Sequence, residues 1–127
     1  IFPLCQKAGI GQVVYSPLAQ GVLTGKYKPG QPPPAGSRAT DDRQNQFLKK
    51  SLLADEQLLA KVQRLIPVAE ENHLTLGQLA LAWNLRRPEV TSCIIGATRP
   101  KQIEENAEAS GVQLEEGTLR RIEEILG

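Results

Sequence analysis

Two short stretches of this 127-residue chain read as β strands, VVYS at Val13–Ser16 and VTSCII at Val90–Ile95, and 73 residues lie between them. A separation that long excludes a hairpin and predicts a parallel pair joined by a right-handed crossover. Two parallel strands are too few for a stable sheet, because each is an edge and parallel sheets are normally covered on both faces. The fold class expected is therefore α/β, with this chain forming part of a closed barrel or a larger open sheet. The chain also contains no methionine, not even at position 1, which points to a piece of a longer protein or a processed product.

Helical periodicity fills most of the remainder. Ile1, Leu4, Cys5 and Ala8 share a stripe that stops at Gly9–Gly11. A short helical turn is expected around Ala19–Leu23, ending at Gly25. Leu58, Leu59, Val62, Leu65, Ile66 and Ala69 predict an amphipathic helix over Asp55–Asn72, kinked or broken at Pro67. Thr75 and Gln78 have the spacing of a capping box that opens a helix to about Arg86, burying Leu76, Leu79, Ala80 and Trp83. The strand Val90–Ile95 is apolar enough to be buried on both faces. A helix over Pro100–Ala109 and a last one over Glu115–Leu126, with Leu119, Ile122, Ile125 and Leu126 on one side, complete the chain. His73 is expected to cap a helix C-terminus.

Residues 28–46, KPGQPPPAGSRATDDRQNQ, carry four prolines and two glycines and form a long loop. Read alone, this segment is either a linker or a lid over a site.

Charge and cysteine usage narrow the function classes. Fifteen cations are interspersed with fourteen anions, so there is no basic stripe and nucleic acid is not an expected partner. No apolar run reaches the length of a membrane span and no secretory leader pattern is present, so a cytoplasmic chain without membrane contact is expected. Cys5 and Cys93 form no disulfide framework and have no metal-ligand spacing around them. With one histidine, a Ser, His and Asp triad is not credible.

The chemically suggestive residues follow the two strands. After the second, Gly96-Ala97-Thr98 turns directly into a helix, with Thr98 as the natural N-cap and Arg99 and Lys101 in the first turn. Cations there oppose the helix dipole by about a few tenths of a kcal/mol each, and a bound phosphate reverses that sign. Gln102, Glu105 and Asn106 form a polar stripe beside the same helix end, with Ile103 and Ala107 directed inward. The glycine pattern is neither G-x-G-x-x-G nor Walker A. After the first strand, YSPLAQG offers a hydroxyl, a rigid proline and a glycine at the equivalent position, and Arg38 in the loop could fold over a ligand.

With these residues in place the sequence resembles the C-terminal part of the aldo-keto reductases, in the branch that includes potassium-channel β subunits. YSPLAQGVLTGKY is similar to the segment at the seventh barrel strand, QLALAWNLRRPEV to the following helix, and IIGATRPKQIEENAEA to the segment at the eighth. The resemblance spans the chain and implies the C-terminal portion of a (β/α)8 TIM barrel, with residues 1–127 as part of a single barrel domain. It implies NADPH as cofactor, bound without a Rossmann motif, and a small aldehyde or ketone as substrate. Carried over position by position, Tyr15 is similar to the aromatic residue that stacks on nicotinamide. Ser16, Pro17, Leu18, Ala19 and Gln20 match the run beside the pyrophosphate, with Lys26 and Arg38 from the following loop. Gly96, Thr98, Gln102, Glu105 and Asn106 match the set that holds the adenosine end, and Arg99 is a further phosphate contact by charge. Gly96 and Gln102 stand where the aldose reductase branch has a lysine and an arginine, which leaves NADH open beside NADPH. The family's catalytic Asp, Tyr, Lys and His come from the first half of the barrel, and no motif here matches them. The chain alone is therefore expected to be inactive, and to associate with the missing barrel half or with another copy. A non-catalytic nucleotide-binding or interaction module is the alternative.

Overall fold

The computed structural model describes residues 1–43 and 46–127. Residues 44 and 45 of the expected loop lie outside the described residues.

A first helix α1, Phe2–Ala8, starts on Pro3 within its first two positions and stops at Gly9, whose φ of +66° supplies the left-handed turn. It leads into β1, Gln12–Tyr15. Gly11 precedes the strand because the neighbouring chain passes close: a Cβ there would stand 2.0 Å from Thr91 Oγ1. After a long connection come α2, Glu56–Glu71, and α3, Leu76–Leu85, and then β2, Val90–Ile94. The last two helices are α4, Pro100–Ala107, and α5, Glu116–Leu126.

β1 and β2 pair directly and in parallel, with Val13 opposite Ser92, Val14 opposite Cys93 and Tyr15 opposite Ile94. The register slips by one residue between Gln12 and Val13. Side chains alternate, so Val13, Tyr15, Ser92 and Ile94 share one face of the ribbon. That face is open: Val13 is 61% exposed, Tyr15 82% and Ile94 58%. The expectation that the second strand is buried on both faces is thus corrected. Only Val90 of β2 is buried, because α3 covers one side of the ribbon and, among the described residues, nothing covers the other.

The core lies on the helical side. Leu59, Val62, Leu65, Val68 and Ala69 of α2 meet Leu76 and Leu79 of α3 and Ile122 and Ile125 of α5. α2 begins at Asp55, whose carboxylate accepts from the Leu58 N–H at 2.9 Å. It is not broken at Pro67; the buried neighbours Leu65, Val68 and Ala69 hold the turn while the proline ring faces solvent. It ends in a Schellman motif, His73 N–H to Glu70 O at 3.0 Å and Leu74 N–H to Ala69 O at 2.9 Å, with His73 at φ +57°. His73 caps as expected, through its backbone.

The capping box is present: Thr75 Oγ1 accepts from Gln78 N–H at 3.2 Å and Gln78 Oε1 accepts from Thr75 N–H at 2.9 Å. α3 buries Leu76, Gln78, Leu79, Leu81 and Ala82, whereas Ala80 and Trp83, expected in the core, are half-buried. The helix lies between α2 and β2, so burial wraps around it instead of following one stripe.

The described part of the loop, with the turn just beyond it, packs on the core and is not a free linker. Ala39, in a 3₁₀ turn at Arg38–Thr40, and Leu48, in a helical turn at Leu48–Leu52, are both fully buried in the core. Its start is tied to α2 by Gln63 Nε2, which donates to Gly25 O at 3.0 Å and to Tyr27 O at 3.1 Å. Among the described residues no helix is long and apolar enough to cross a membrane.

Candidate functional site

Because β1 and β2 are parallel and Tyr15 stands opposite Ile94, the segments that follow them leave the sheet at the same end. Ser16–Gln20 and Gly96–Gln102, singled out separately in the sequence, are therefore neighbours by topology. No hydrogen bond or ion pair joins the two segments among the described residues.

The first segment is conformationally strained. Ser16 (φ +53°), Ala19 (φ +46°) and Gln20 (φ +57°) all occupy the left-handed region. Each such non-glycine residue costs about 1–2 kcal/mol and persists only where surrounding contacts hold it. Here Ala19 N–H bonds to Ser16 O and Gly21 N–H to Leu18 O, each at 2.9 Å. Pro17 is buried, and Leu18 Cδ2 lies 3.9 Å from where a Cβ on Gly77 of α3 would stand. Gln20 Oε1 is buried and has no hydrogen-bond partner. Backbone strain and an orphaned acceptor in one turn are the signature of a place shaped for something other than stability.

Lys26 and Arg38 follow on the connection. Lys26 Nζ sits 5.3 Å from the centre of the Tyr27 ring. A Cβ on Gly21, itself at φ +93°, would come within 3.0 Å of that amine, so glycine keeps the approach open. Arg38 is exposed, while Ala39 beside it is buried in the core and fixes the turn that carries it.

At the second segment the helix starts at Pro100 as expected, but its cap lies one residue later than expected. Arg99 (φ −140°), not Thr98, is the N-cap of α4, and Pro100 takes the first helical position, where its fixed φ and missing N–H are tolerated. Arg99 therefore precedes the first turn. Gln102 Oε1 accepts three hydrogen bonds, from Thr98 N–H at 2.8 Å, Thr98 Oγ1 at 3.2 Å and Arg99 N–H at 3.2 Å. With its oxygen so engaged, the Gln102 amide is oriented and its NH₂ end remains as a donor for an anion. Lys101 is offset by Glu105, 3.6 Å away on the next turn. Both are exposed enough for this pair to contribute little to stability.

Gly96, Thr98, Arg99 and Gln102 are all exposed, and a Cβ on Gly96 would meet open space. Asn106 is half-buried and lines a crevice of about 240 Å³ between α3, β2 and α4, together with Cys93 and Ile103. Burial pushes the Cys93 thiol above the ordinary cysteine range. Ile103 and Ala107, expected to point inward, are exposed, and α4 buries none of its residues.

One residue escaped the sequence reading as anything beyond a cap. Gln78 is 6% exposed and its side chain bridges from α3 to α4. Far from the strand ends, Arg86 stacks on Trp83 at 3.7 Å and Arg87 on Phe2 at 4.5 Å. Burial first and Arg87 second lower the Arg86 pKa, opposed by Glu123. Among the described residues no three His, Cys, Asp or Glu side chains could hold a metal ion.

Comparison with known proteins agrees with this architecture. The model of the aldo/keto reductase family matches residues 1–127. A "Probable voltage-gated potassium channel subunit beta" of Arabidopsis thaliana is 44% identical over 126 residues, covering 98% of this chain and 38% of the relative. A protein of the same description from Oryza sativa subsp. japonica is 44% identical over 110 residues, 87% of this chain and 33% of the relative. The solved structure of a glycerol dehydrogenase from Gluconobacter oxydans superposes with a TM-score of 0.75 at 25% identity, over 99% of this chain and 37% of that one. The chain thus spans 33–38% of the length of these proteins, and its fold corresponds to part of a TIM barrel. By family model, relatives and fold together, this chain belongs to the aldo/keto reductase family.

Proposed function

We propose that the chain supplies the seventh and eighth strands of an aldo-keto reductase barrel and, with them, the NADP-binding half of its active site. The observation that carries this reading is the parallel pairing that brings Ser16–Gln20 and Gly96–Gln102 to one end of the sheet, where barrels of this class bind ligands. The residues present fit an extended dinucleotide. Gln20 Oε1 needs a donor, which a ribose hydroxyl or a carboxamide supplies. The oriented Gln102 amide, Thr98 and the guanidinium of Arg99 suit a 2′-phosphate. Tyr15, 82% exposed, offers a free ring face for a nicotinamide.

In this reading Ser16, Pro17, Leu18, Ala19, Gln20, Lys26 and Arg38 hold the pyrophosphate, and Gly96, Thr98, Arg99, Gln102, Glu105 and Asn106 the adenosine end. The cofactor supplies the hydride for a carbonyl carbon. The chain's own residues bind and orient it, and the strained Ser16–Gln20 turn lowers the ordering cost of binding by being fixed beforehand. The proton donor lies in the rest of the barrel. Tyr27, 3% exposed and enclosed in the core, is not placed to serve. NADPH is favoured over NADH by Arg99 and Gln102, although Gly96 and Gln102 make a weaker grip than a lysine and an arginine would.

The test is NADPH oxidation by a barrel-length protein carrying this segment, against a panel of aldehydes, beside the 127-residue chain alone. Turnover by the former and none by the latter is expected; turnover by the isolated chain would refute the division of labour. The names of the plant relatives favour a second reading, a nucleotide-binding subunit of a channel assembly. NADPH binding without oxidation of any aldehyde would select it.

A further inference from the structure

We infer that Gln78 is a positioning residue for the adenosine-binding helix: it fixes α4 against α3 and so sets where Arg99 and Gln102 meet the cofactor. The inference rests on the cofactor reading above.

Within α4 little apolar surface holds the helix in place, and the nearest buried side chain is Ala109, two residues past its end. None of its residues is buried, and Ile103 is 55% exposed. Polar ties must therefore do what packing does for α2 and α5. Gln78 engages its amide oxygen in the cap and both of its N–H groups in the tie to α4. Its oxygen accepts from Thr75 N–H at 2.9 Å, and its two N–H groups go to Glu105 O at 2.8 Å and to Glu108 Oε2 at 2.9 Å. The orientation is set by chemistry, because the reversed amide would turn its oxygen towards a carbonyl and a carboxylate and its NH₂ towards a donor.

A capping glutamine needs only the first of these contacts. The other two reach 27 and 30 residues along the chain, to the C-terminal turn of α4. That helix is about 12 Å long at 1.5 Å per residue, so its anchored end dictates the direction of the end that carries Gln102. Gln78 also follows Gly77, which faces Leu18 of the strained turn at van der Waals distance. The N-terminus of α3 is thus the shared wall of the two strand-end segments, and Gln78 is the polar residue that links it to the second.

Gln78→Glu separates this role from capping. A glutamate still accepts from the Thr75 N–H, so α3 keeps its start, but it cannot donate and sets a carboxylate against Glu105 O and Glu108. In a barrel-length protein the variant is expected to bind 2′,5′-ADP about tenfold more weakly, while nicotinamide mononucleotide, which reaches only the Tyr15 end, binds as before. Hydrogen exchange of the α4 amides in the ligand-free protein should rise about tenfold, with α2 unchanged. Adding Glu108→Gln returns an amide donor to the new carboxylate and should recover part of the lost affinity. Unchanged 2′,5′-ADP binding in Gln78→Glu overturns the proposal, as do equal losses for both ligands or unchanged exchange in α4. Wild-type protein that binds neither ligand overturns the cofactor reading, and the proposal falls with it.

Discussion

The helical side and the strand side of this molecule are built on opposite terms. On the helical side, Val62, Leu79 and Ile122 are at most 4% exposed, and the ends of α2 and α3 are closed by Asp55, His73 and the Thr75–Gln78 capping box. On the strand side, Val13, Tyr15 and Ile94 face outward, α4 buries nothing, and three of five residues after β1 sit in the left-handed region. The helical side meets most of its needs by burial and capping, with Tyr27 Oη and Trp83 Nε1 among its unpartnered polar atoms. The strand side keeps apolar surface, strain and an orphaned acceptor that internal contacts do not resolve. On the proposed reading stability and function are therefore segregated, as in barrels whose ligand end carries the chemistry and whose outer helices carry the packing.

Core truncation should break the symmetry most visibly. Leu79→Ala is expected to cost about 2–5 kcal/mol in chemical denaturation, whereas Ile94→Ala, on the open face, should cost less than about 1 kcal/mol in this chain. Comparable losses would show that the strand side is as integral to stability as the helical side. Next in size is a charge reversal at the ligand end. Arg99→Glu in a barrel-length protein should weaken NADPH about tenfold more than NADH in calorimetric titration, and equal losses would detach Arg99 from the 2′-phosphate. Removing a cap acts first on the helical side: Thr75→Ala should lower the unfolding free energy by about 1 kcal/mol and leave nicotinamide mononucleotide binding unchanged.

Backbone strain offers the sharpest contrast. His73→Gly and Ala19→Gly each relieve a positive φ and should each stabilise by up to about 1 kcal/mol. Only Ala19→Gly should also weaken NADPH, because it loosens a turn fixed in advance for the ligand. Smallest is the thiol of Cys93. With its pKa raised by burial, it should react with a disulfide reagent at pH 8 more slowly than a free cysteine. A raised pKa means that the folded state holds the proton more tightly. Its small stabilisation is therefore complete below the ordinary cysteine range and lost as pH rises through the raised value.

Local rules made much of this legible. The spacing of Leu59, Val62, Leu65 and Ala69 marked α2 and its buried face, Thr75 and Gln78 marked the start of α3, and strand separation marked the parallel pairing. The misses share a cause, dependence on partners far away in sequence. β2 reads as doubly buried because its composition suits a complete sheet, while here it has one neighbour. Composition left the loop undecided because its anchors, Ala39 and Leu48, act only by reaching the α2 core. Ile103 looked like an inward residue on a helix that turns out to be held by polar ties. Thr98 lost the N-cap to Arg99 because Pro100 fixes the first helical position and Gln102 satisfies the N–H groups of both. At the candidate site, residue types were readable from the two motifs, but the strain at Ser16, Ala19 and Gln20 was not, since no local pattern demands left-handed serine, alanine and glutamine.

The central claim is that the two strand ends form one dinucleotide site. The most direct measurement is an amide chemical-shift titration of a barrel-length protein with NADPH. The account predicts that Ser16–Gln20 and Gly96–Asn106 shift together and saturate with a single Kd. Shifts confined to one segment, or two segments saturating at different concentrations, would contradict it.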